Sequence, residues 1–579
     1  MLNPTSRFLI LALALILIGS SLANFVNTSG GTVEVTDVRF STPDGKQQSA
    51  LLYRPLTATP DNPAPGVLAI HGYINSRETQ SGFAIELSRR GMVVLAIDQS
   101  GHGYSDPPAF ANAFGSVNGL AYLRSLPFVD TNRIGLEGHS MGGWASRAAT
   151  QLRPNDYHSI AMVGSSTTPL VFGDFSGTAT DPKNIAIVYS LYDEFSEFMW
   201  QGSLPQNLPS APKLQQLFGT DTQVEVGKLY GSVEQGTARK YYQPATTHPG
   251  DHISPEAILN TVEWLQLTLD HNTNIAPDAH IFLWKEIGTL IAFLGLVLAI
   301  FPLCKLLLSF TTSANIEPLP PSTTSSTQWW ISALLTTAIP AATFFTFYNW
   351  FTSVVPGSGF WPQNVTTGIA GWALLNGLLS VVLLGAGALL AKSKLSDSVS
   401  SFGLSAPPRH IVTMLVIAVL LAIVLAAVAY LVEAIFLTDF RFWVVAFKPP
   451  SLAQWLIAAA YWPVFAFFFL TFSATLAGPL RKTQAPSLKN TLLTNSLIAV
   501  AGFACLLILQ YSALFSTGTL LIDQPLLTIV GLQFLPLLII IACVSTYCLH
   551  LTGRVYLGAF VNSLFVTLYI VAGQATHVA

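Results

Sequence analysis

The sequence predicts two bodies of different kind, a doubly wound, mostly parallel α/β domain followed by an all-α polytopic membrane domain. Three observations predict this. Between residues 32 and 271 short β-branched runs alternate with helical patterns, as in a parallel sheet covered on both faces. After Glu286 long apolar runs fill the chain, whereas most Asp, Glu, Lys and Arg precede it. The 579 residues are 51% hydrophobic and 10% charged, with a mean hydropathy of +0.51. A soluble domain carries about a quarter charged residues, so much of this chain needs lipid around it.

The first element is Arg7 followed by an apolar run from Phe8 to Ile18. Residues 1–26 read as a signal anchor or a signal peptide: Ser21-Leu22-Ala23 offers a small-residue cleavage site, and continued apolarity through Val26 gives enough length to span. Residues 27–278 form the polar domain. Its predicted strands are 66–70, 92–97, 134–137, 159–163, 185–189 and 238–242, with a helix over 79–90. The closing helix starts at Ser254-Pro255-Glu256, with Ser as cap and Pro at the first helical position.

Residues 279–579 supply eight candidate spans: 287–303, 329–350, 369–391, 411–431, 452–476, 492–514, 526–549 and 555–572. If the polar domain lies outside, the inner loops carry Lys305, Lys392, Lys394, Arg409, Arg481, Lys482, Lys489 and Arg554. The outer loops then carry only Arg441 and Lys448, which obeys the positive-inside rule, and Arg7 agrees. The expected address is the cell membrane, with the polar domain extracytoplasmic. The stretch 318–327, rich in Pro, Ser and Thr, reads as an inner loop.

Glu433, Asp439 and Arg441 cluster near one span end. They read as an ion pair that orients the helix, with a functional intramembrane acid as the alternative. Asn376, Asn495, Gln533, Asn562 and His550 read as interhelical hydrogen-bonding groups. Trp329, Trp330, Trp350, Trp361, Trp443 and Trp462 fit interface anchors. All four cysteines lie in the apolar half, so no disulfide framework supports the polar domain. A net charge of -3 is too small to suggest a nucleic-acid partner.

The chemistry starts at Gly138-His139-Ser140-Met141-Gly142, a G-x-S-x-G sequence between a predicted strand and a helical pattern. Such a turn holds its serine in a strained conformation with the hydroxyl outward, and the flanking glycines remove clashing side chains. A serine hydroxyl needs a base to take its proton, an acid to orient that base, and donors for the oxyanion. Asp193, just after strand 185–189, is the expected acid, with Glu194, Glu197 and Asp181 as competitors. His252, in the turn before the last helix, is the expected base, and His248 the alternative. The amides of Met141 and of Tyr73, in the loop His71-Gly72-Tyr73, are the expected oxyanion donors. Asp98 and His102, in a glycine-rich turn, read as structural or pocket-lining.

Taken together, HGY at His71, DQSGHGYSD from Asp98, GHSMGG from Gly138, LYDEF around Asp193 and GDHIS around His252 resemble the α/β-hydrolase superfamily. Its esterase, dienelactone-hydrolase-like and serine-peptidase-like branches are the nearest, over roughly residues 30–275. Gln99-Ser100 departs from the arginine usual before the glycine. The resemblance implies a Ser140–His252–Asp193 triad acting through an acyl-enzyme, with no cofactor and no metal. It also implies that the insertion 196–238, which carries Phe198, Met199, Trp200, Leu214, Leu217 and Phe218, forms a lid. Ordinary packing accounts for those residues equally well.

The expected function is a membrane-bound serine hydrolase that cleaves a carboxylic ester or related acyl bond. Its partners would be an acyl-containing small molecule or lipid-like substrate and the bilayer itself. A serine peptidase or an acyltransferase is the alternative. From a different class, the chain could be a transporter or receptor whose hydrolase-like domain only binds.

Overall fold

The computed structural model describes residues 3–578 apart from 171, 172, 272, 277, 312–318, 391, 392, 484 and 485. Lys392, Pro318 and the end of the expected span 369–391 lie outside the described residues.

The polar half is built on strands β1 (Val33–Ser41), β2 (Gln47–Pro55), β3 (Ala64–Ile70), β4 (Val93–Ile97), β5 (Val129–His139) and β6 (Ser159–Val163). A two-stranded ribbon follows, β7 (Pro169–Leu170) and β8 (Gly173–Asp174), and then β9 (Ile185–Val188), β10 (Leu229–Tyr230) and β11 (Arg239–Tyr242). Nine strands form one sheet in the order β1-β2-β4-β3-β5-β6-β9-β11-β10. The six from β4 to β11 run parallel, and β1, β2 and β10 are antiparallel additions at the edges.

Each predicted strand appears. β3 and β4 are buried along their whole length, which is why they read as unbroken apolar runs. Alternation divides the side chains between faces. Leu68, Ile70, Leu136, Ile160 and Ile187 pack on one side with Trp144; Val67, Ala69, Val94, Val163 and Val188 pack on the other with Trp264. The closing helix, Pro255–Thr268, starts as predicted, and the Ser254 hydroxyl accepts from the Ala257 amide.

Register decides where chemistry can sit. Ile70 lies opposite Gly138, His139 opposite Val163, and Val188 opposite both Val163 and Tyr242. The carboxyl ends of β3, β5, β6, β9 and β11 therefore form one edge, where open α/β sheets place their ligands.

The second half is helical. Among the described residues eight helices are long and apolar enough to cross a membrane, consistent with a multi-pass membrane protein: Pro4–Asn27, Phe282–Ser309, Asn364–Leu390, Pro408–Phe436, Leu452–Ala477, Leu488–Thr517, Pro525–Thr552 and Tyr556–Gly573. The expected span 329–350 is instead a pair, Ser326–Ala342 and Phe344–Val354, bent by 50°. Pro340 lies just before the break; it lacks an amide proton and its ring crowds the preceding turn. Short polar contacts tie the helices together. Asn376 donates to Thr343 (3.1 Å), Asn495 to Thr546 (2.9 Å) and Asn562 to Ser545 (2.9 Å), while Gln533 accepts from the Tyr569 hydroxyl (2.7 Å). His550 is exposed.

The two halves meet at the carboxyl edge of the sheet. A hairpin, β12 (Phe440–Phe442) and β13 (Val445–Phe447), projects from the membrane half. Its Arg441 pairs with Asp439 (2.8 Å), whereas Glu433 reaches across to Arg77 (3.3 Å) and accepts from the Tyr104 hydroxyl (2.8 Å). The Glu433 carboxylate thus joins the halves and is not part of the Asp439–Arg441 pair.

The N-terminal helix, Pro4–Asn27, lies along Phe282–Ser309, and glycines let the backbones touch. A Cβ on Gly19 would overlap the Gly288 carbonyl and stand 2.5 Å from the Ala292 nitrogen; one on Gly295 would stand 2.7 Å from the Ala12 carbonyl. Small-residue seams of this kind are how helices pack tightly in lipid. Gly19→Leu should therefore lower stability by roughly 1–3 kcal/mol through overpacking. Leu17→Ala, at a side chain 58% exposed, should change little. Thermal melting in detergent checks both, and an unshifted melting point for Gly19→Leu would refute the packing.

Candidate functional site

Strand β5 ends on His139, and the helix Met141–Leu152 begins two residues later. Ser140 between them has φ 57° and ψ -123°, a conformation that a side chain with a Cβ adopts only under strain. Its amide donates to the Val163 carbonyl (2.8 Å), fixing the turn to β6. The turn is tight enough that a Cβ on Gly142 would strike the Ile70 carbonyl, which explains the glycine two residues after the serine.

The loop after β3 closes against this turn. A Cβ on Gly72 would stand 3.0 Å from the Ser140 Cβ, so the backbone of His71-Gly72-Tyr73 lies beside the serine. The amide of Met141 is in the first turn of its helix, where amides have no intrahelical partner. His71 is locked: its Nδ1 meets the Gly72 carbonyl (2.7 Å), and its Nε2 accepts from the Gln99 amide (3.0 Å). The Gln99 side chain donates in turn to the His71 carbonyl. Gln99 thus bolts two loops together. Asp98 accepts from the Ser49 hydroxyl and from the Arg77 and Tyr104 amides (2.8, 2.8 and 3.0 Å), as its structural reading expects. His102 packs on the rings of His71 and Tyr73.

Asp193 follows β9 and is 1% exposed. One carboxylate oxygen accepts from the Phe195 amide (2.8 Å) and the other meets Nδ1 of His248 (2.7 Å). The acid is therefore joined to His248 and not to His252. His248 opens a short 3-10 turn, Pro249–Ile253, and its ring lies 4.7 Å from both His139 and Phe195. His252 sits at the far end of that turn, against Phe83 (6.3 Å) and His139 (4.0 Å). Neither of its buried ring nitrogens has a hydrogen-bond partner among the described residues.

The electrostatics separate the two histidines in the same direction. Burial drives the His252 pKa well down, with His139 and His248 adding to the effect, so it stays neutral. Burial also penalises a charged His248, but the Asp193, Glu194 and Asp251 carboxylates outweigh it and raise the pKa above 6.5. Proximity to the last helix selected His252 in the sequence. The inserted 3-10 turn puts three residues between the two rings and gives the carboxylate to the first.

Some contacts at this site have no sequence signal. Glu194 is buried; one oxygen accepts from the His248 amide (2.8 Å) and the other from the hydroxyl of Tyr511 in the helix Leu488–Thr517 (2.8 Å). Burial, with Asp193 beside it, pushes its pKa up to about 7. The Trp443 indole donates to the Pro249 carbonyl (2.6 Å), and the Tyr73 hydroxyl meets Nε2 of His577 (2.8 Å). These partners lie hundreds of residues apart in the chain. The large apolar residues of the insertion 196–238 mostly anchor it to the core: Met199, Trp200, Leu214, Leu217 and Phe218 are buried. Phe198 alone of the six residues named for a lid is exposed, and it rests edge-on against Trp144.

A family profile described as alpha/beta hydrolase fold matches residues 65–270, and this part of the chain belongs to that fold family. Dipeptidyl peptidase 8 of Mus musculus is 32% identical over 152 residues, covering 23% of this chain and 17% of its own length. The chain thus spans about a sixth of that relative. Among solved structures, an esterase of Pyrococcus furiosus is 15% identical, covers 42% of this chain and 95% of its own, and has a TM-score of 0.30. The thioesterase domain from a curacin biosynthetic pathway is 16% identical, covers 40% and 99%, and has a TM-score of 0.27.

Ionised Glu194 favours the charged form of His248. In Glu194→Gln the His248 ring should therefore lose its proton at lower pH. Tyr511→Phe removes a hydrogen bond that holds the Glu194 pKa down. The acid then stays neutral to higher pH, and the His248 titration moves in the same direction as in Glu194→Gln. Imidazole titration by NMR, assigned with His248→Gln, checks both. A shift to higher pH in either variant would contradict the geometry.

Proposed function

We propose that this chain, whose residues 65–270 belong to the α/β-hydrolase fold family, is a membrane-bound serine hydrolase that cleaves a carboxylic ester through an acyl-enzyme. The observation that carries the reading is the buried Asp193–His248 pair at the same sheet edge as a serine held at φ 57°. In this reading Ser140 attacks the acyl carbon while His248 takes the hydroxyl proton. The Tyr73 and Met141 amides hold the oxyanion. His248 then gives the proton to the departing alcohol, and water repeats the sequence to release the acid. Asp193 holds the imidazole in the tautomer that leaves Nε2 free to accept.

The similarity to dipeptidyl peptidase 8 favours a second reading, a peptidase acting through the same residues. The two separate on matched ester and amide substrates. We also propose that the polar domain is extracytoplasmic, from the asymmetry of Lys and Arg across the loops. Protease added to intact cells should cut it. Cutting seen only after lysis would reverse the topology.

A fluorophosphonate probe should label wild type and not Ser140→Ala. His248→Gln should lose at least about 10³-fold in labelling rate. His252→Gln, whose ring has no hydrogen-bond partner among the described residues, should stay within a few-fold. Because the base must be neutral and its pKa lies above 6.5, the rate should fall as pH drops through a midpoint above that value. Equal losses in the two histidine variants would sink the assignment of His248.

A further inference from the structure

The loop that passes Ser140 continues into a cavity between the two halves. Ile74, Asn75 and Ser76 line it from the polar domain, and Ile369, Val530, Phe534, Leu537 and Ile570, from three membrane helices, give it an apolar side. Gly72 and Ile74 are two residues apart, at most about 7 Å even in an extended chain. The Gly72 Cβ position is 3.0 Å from the Ser140 Cβ. The lining thus begins about one acyl-ester head group away from the serine.

Its polar groups say what it can hold. The two cations at the wall, Arg441 and Lys448, are already answered by Asp439 (2.8 Å) and Glu78 (2.5 Å), so nothing there calls for an anion. What remains is uncharged. Asn75, Gln533 and Gln574 all line the cavity. Gln574 is 7% exposed, and its Oε1 has no hydrogen-bond partner among the described residues. A buried carbonyl oxygen without a donor has lost its water without compensation, and a hydroxyl or amide N–H from a ligand would satisfy it. The space for the centres of water-sized molecules is about 40 Å³, room for about three waters. An acyl chain entering it must part the helices further.

We propose that this cavity binds an uncharged amphiphile, a long-chain acyl ester of a hydroxyl-bearing alcohol, with its tail among the membrane helices and its ester presented to Ser140. The substrate then reaches the serine from within the bilayer. This rests on the serine-hydrolase reading above.

The test uses the full chain in lipid nanodiscs. In Ser140→Ala, a monoacylglycerol ether with a photoactivatable tail should crosslink to Phe534, Leu537 or Ile570. An unlabelled monoacylglycerol ether should compete better than its phosphate-bearing counterpart. Crosslinks confined to lipid-facing positions such as Ile539, 43% exposed on the same helix as Phe534, would overturn the proposal, as would better competition by the anion. Gly573 offers a second arm. It lines the cavity, and a Cβ there would meet nothing within 4 Å, so Gly573→Phe fills the space without backbone strain. It should cut crosslinking at least about tenfold and lower the ratio of kcat/KM for dodecanoyl over acetyl esters by a similar factor. An unchanged ratio with undiminished crosslinking overturns it. Fluorophosphonate labelling of wild type reads the nucleophile separately: crosslinking without labelling keeps the cavity and sinks the hydrolase, and labelling without crosslinking does the reverse.

Discussion

Charges buried between the polar domain and the membrane helices must find their partners there, and this requirement fixes how one half sits on the other. Arg77 is 1% exposed and touches Asp37 (2.5 Å), Glu78 (3.1 Å) and Glu433 (3.3 Å). Glu78 also receives Lys448. Burial opposes its ionisation, yet Lys448, Arg77 and Arg441 together hold its carboxyl well below the usual range. Arg441 pairs with Asp439 and donates to Ser76 (3.2 Å) and Thr79 (3.0 Å). Removing one partner of such a set leaves an uncompensated buried charge, at about 3–5 kcal/mol. The seam has essentially one arrangement.

That arrangement reaches the serine through a single stretch of backbone. Residues 71–80 leave the sheet edge beside Ser140, line the cavity at Ile74 and Asn75, take hydrogen bonds from Arg441 at Ser76 and Thr79, and return through Gln80 to Glu137 and the Ile70 carbonyl. The backbone proposed to hold the oxyanion is thus anchored at its far end by the membrane hairpin. The proposed base, His248, is braced from the same side, by Trp443 on the Pro249 carbonyl and by Tyr511 through Glu194. Both flanks of Ser140 lean on residues of the membrane half, so a polar domain freed of that half would lose supports on each.

What the sequence makes legible follows from the range of the forces involved. The elbow, the acid after β9 and the cap at Ser254 are local: a turn, a strand end and a helix start, each written within a few residues. The spans are legible because hydropathy is a property of the segment, whereas the 50° bend within the expected span 329–350, next to Pro340, is not a hydropathy signal. The choice between His248 and His252 depended on a 3-10 turn five residues long, which has little periodicity to announce it. Glu433 was legible as a charge at a span end but not as the partner of Arg77, 356 residues away. Tyr511 and His577 carry no local mark at all. Their roles come from tertiary contact alone.

The seam is uneven. On the side of Arg77 and Arg441 several charge-assisted bonds hold it, each worth more than a neutral one. On the side of Tyr73 it is held by the chain's tail. Thr576 exchanges two backbone bonds with Gly101 and Ala109 (2.8 Å each), the His577 amide donates to the Pro362 carbonyl (2.8 Å), and the His577 ring meets the Tyr73 hydroxyl. Neutral bonds of this kind contribute about 0.5–1.5 kcal/mol net apiece, and water can replace each of them as they part. No buried charge is stranded when they do. The two edges therefore differ in kind: parting the ionic edge strands charge in a low dielectric, whereas parting the tail edge exposes only groups that water satisfies. The weaker edge crosses Tyr73, the residue after the glycine that touches Ser140, so the strength of the interface falls toward the serine.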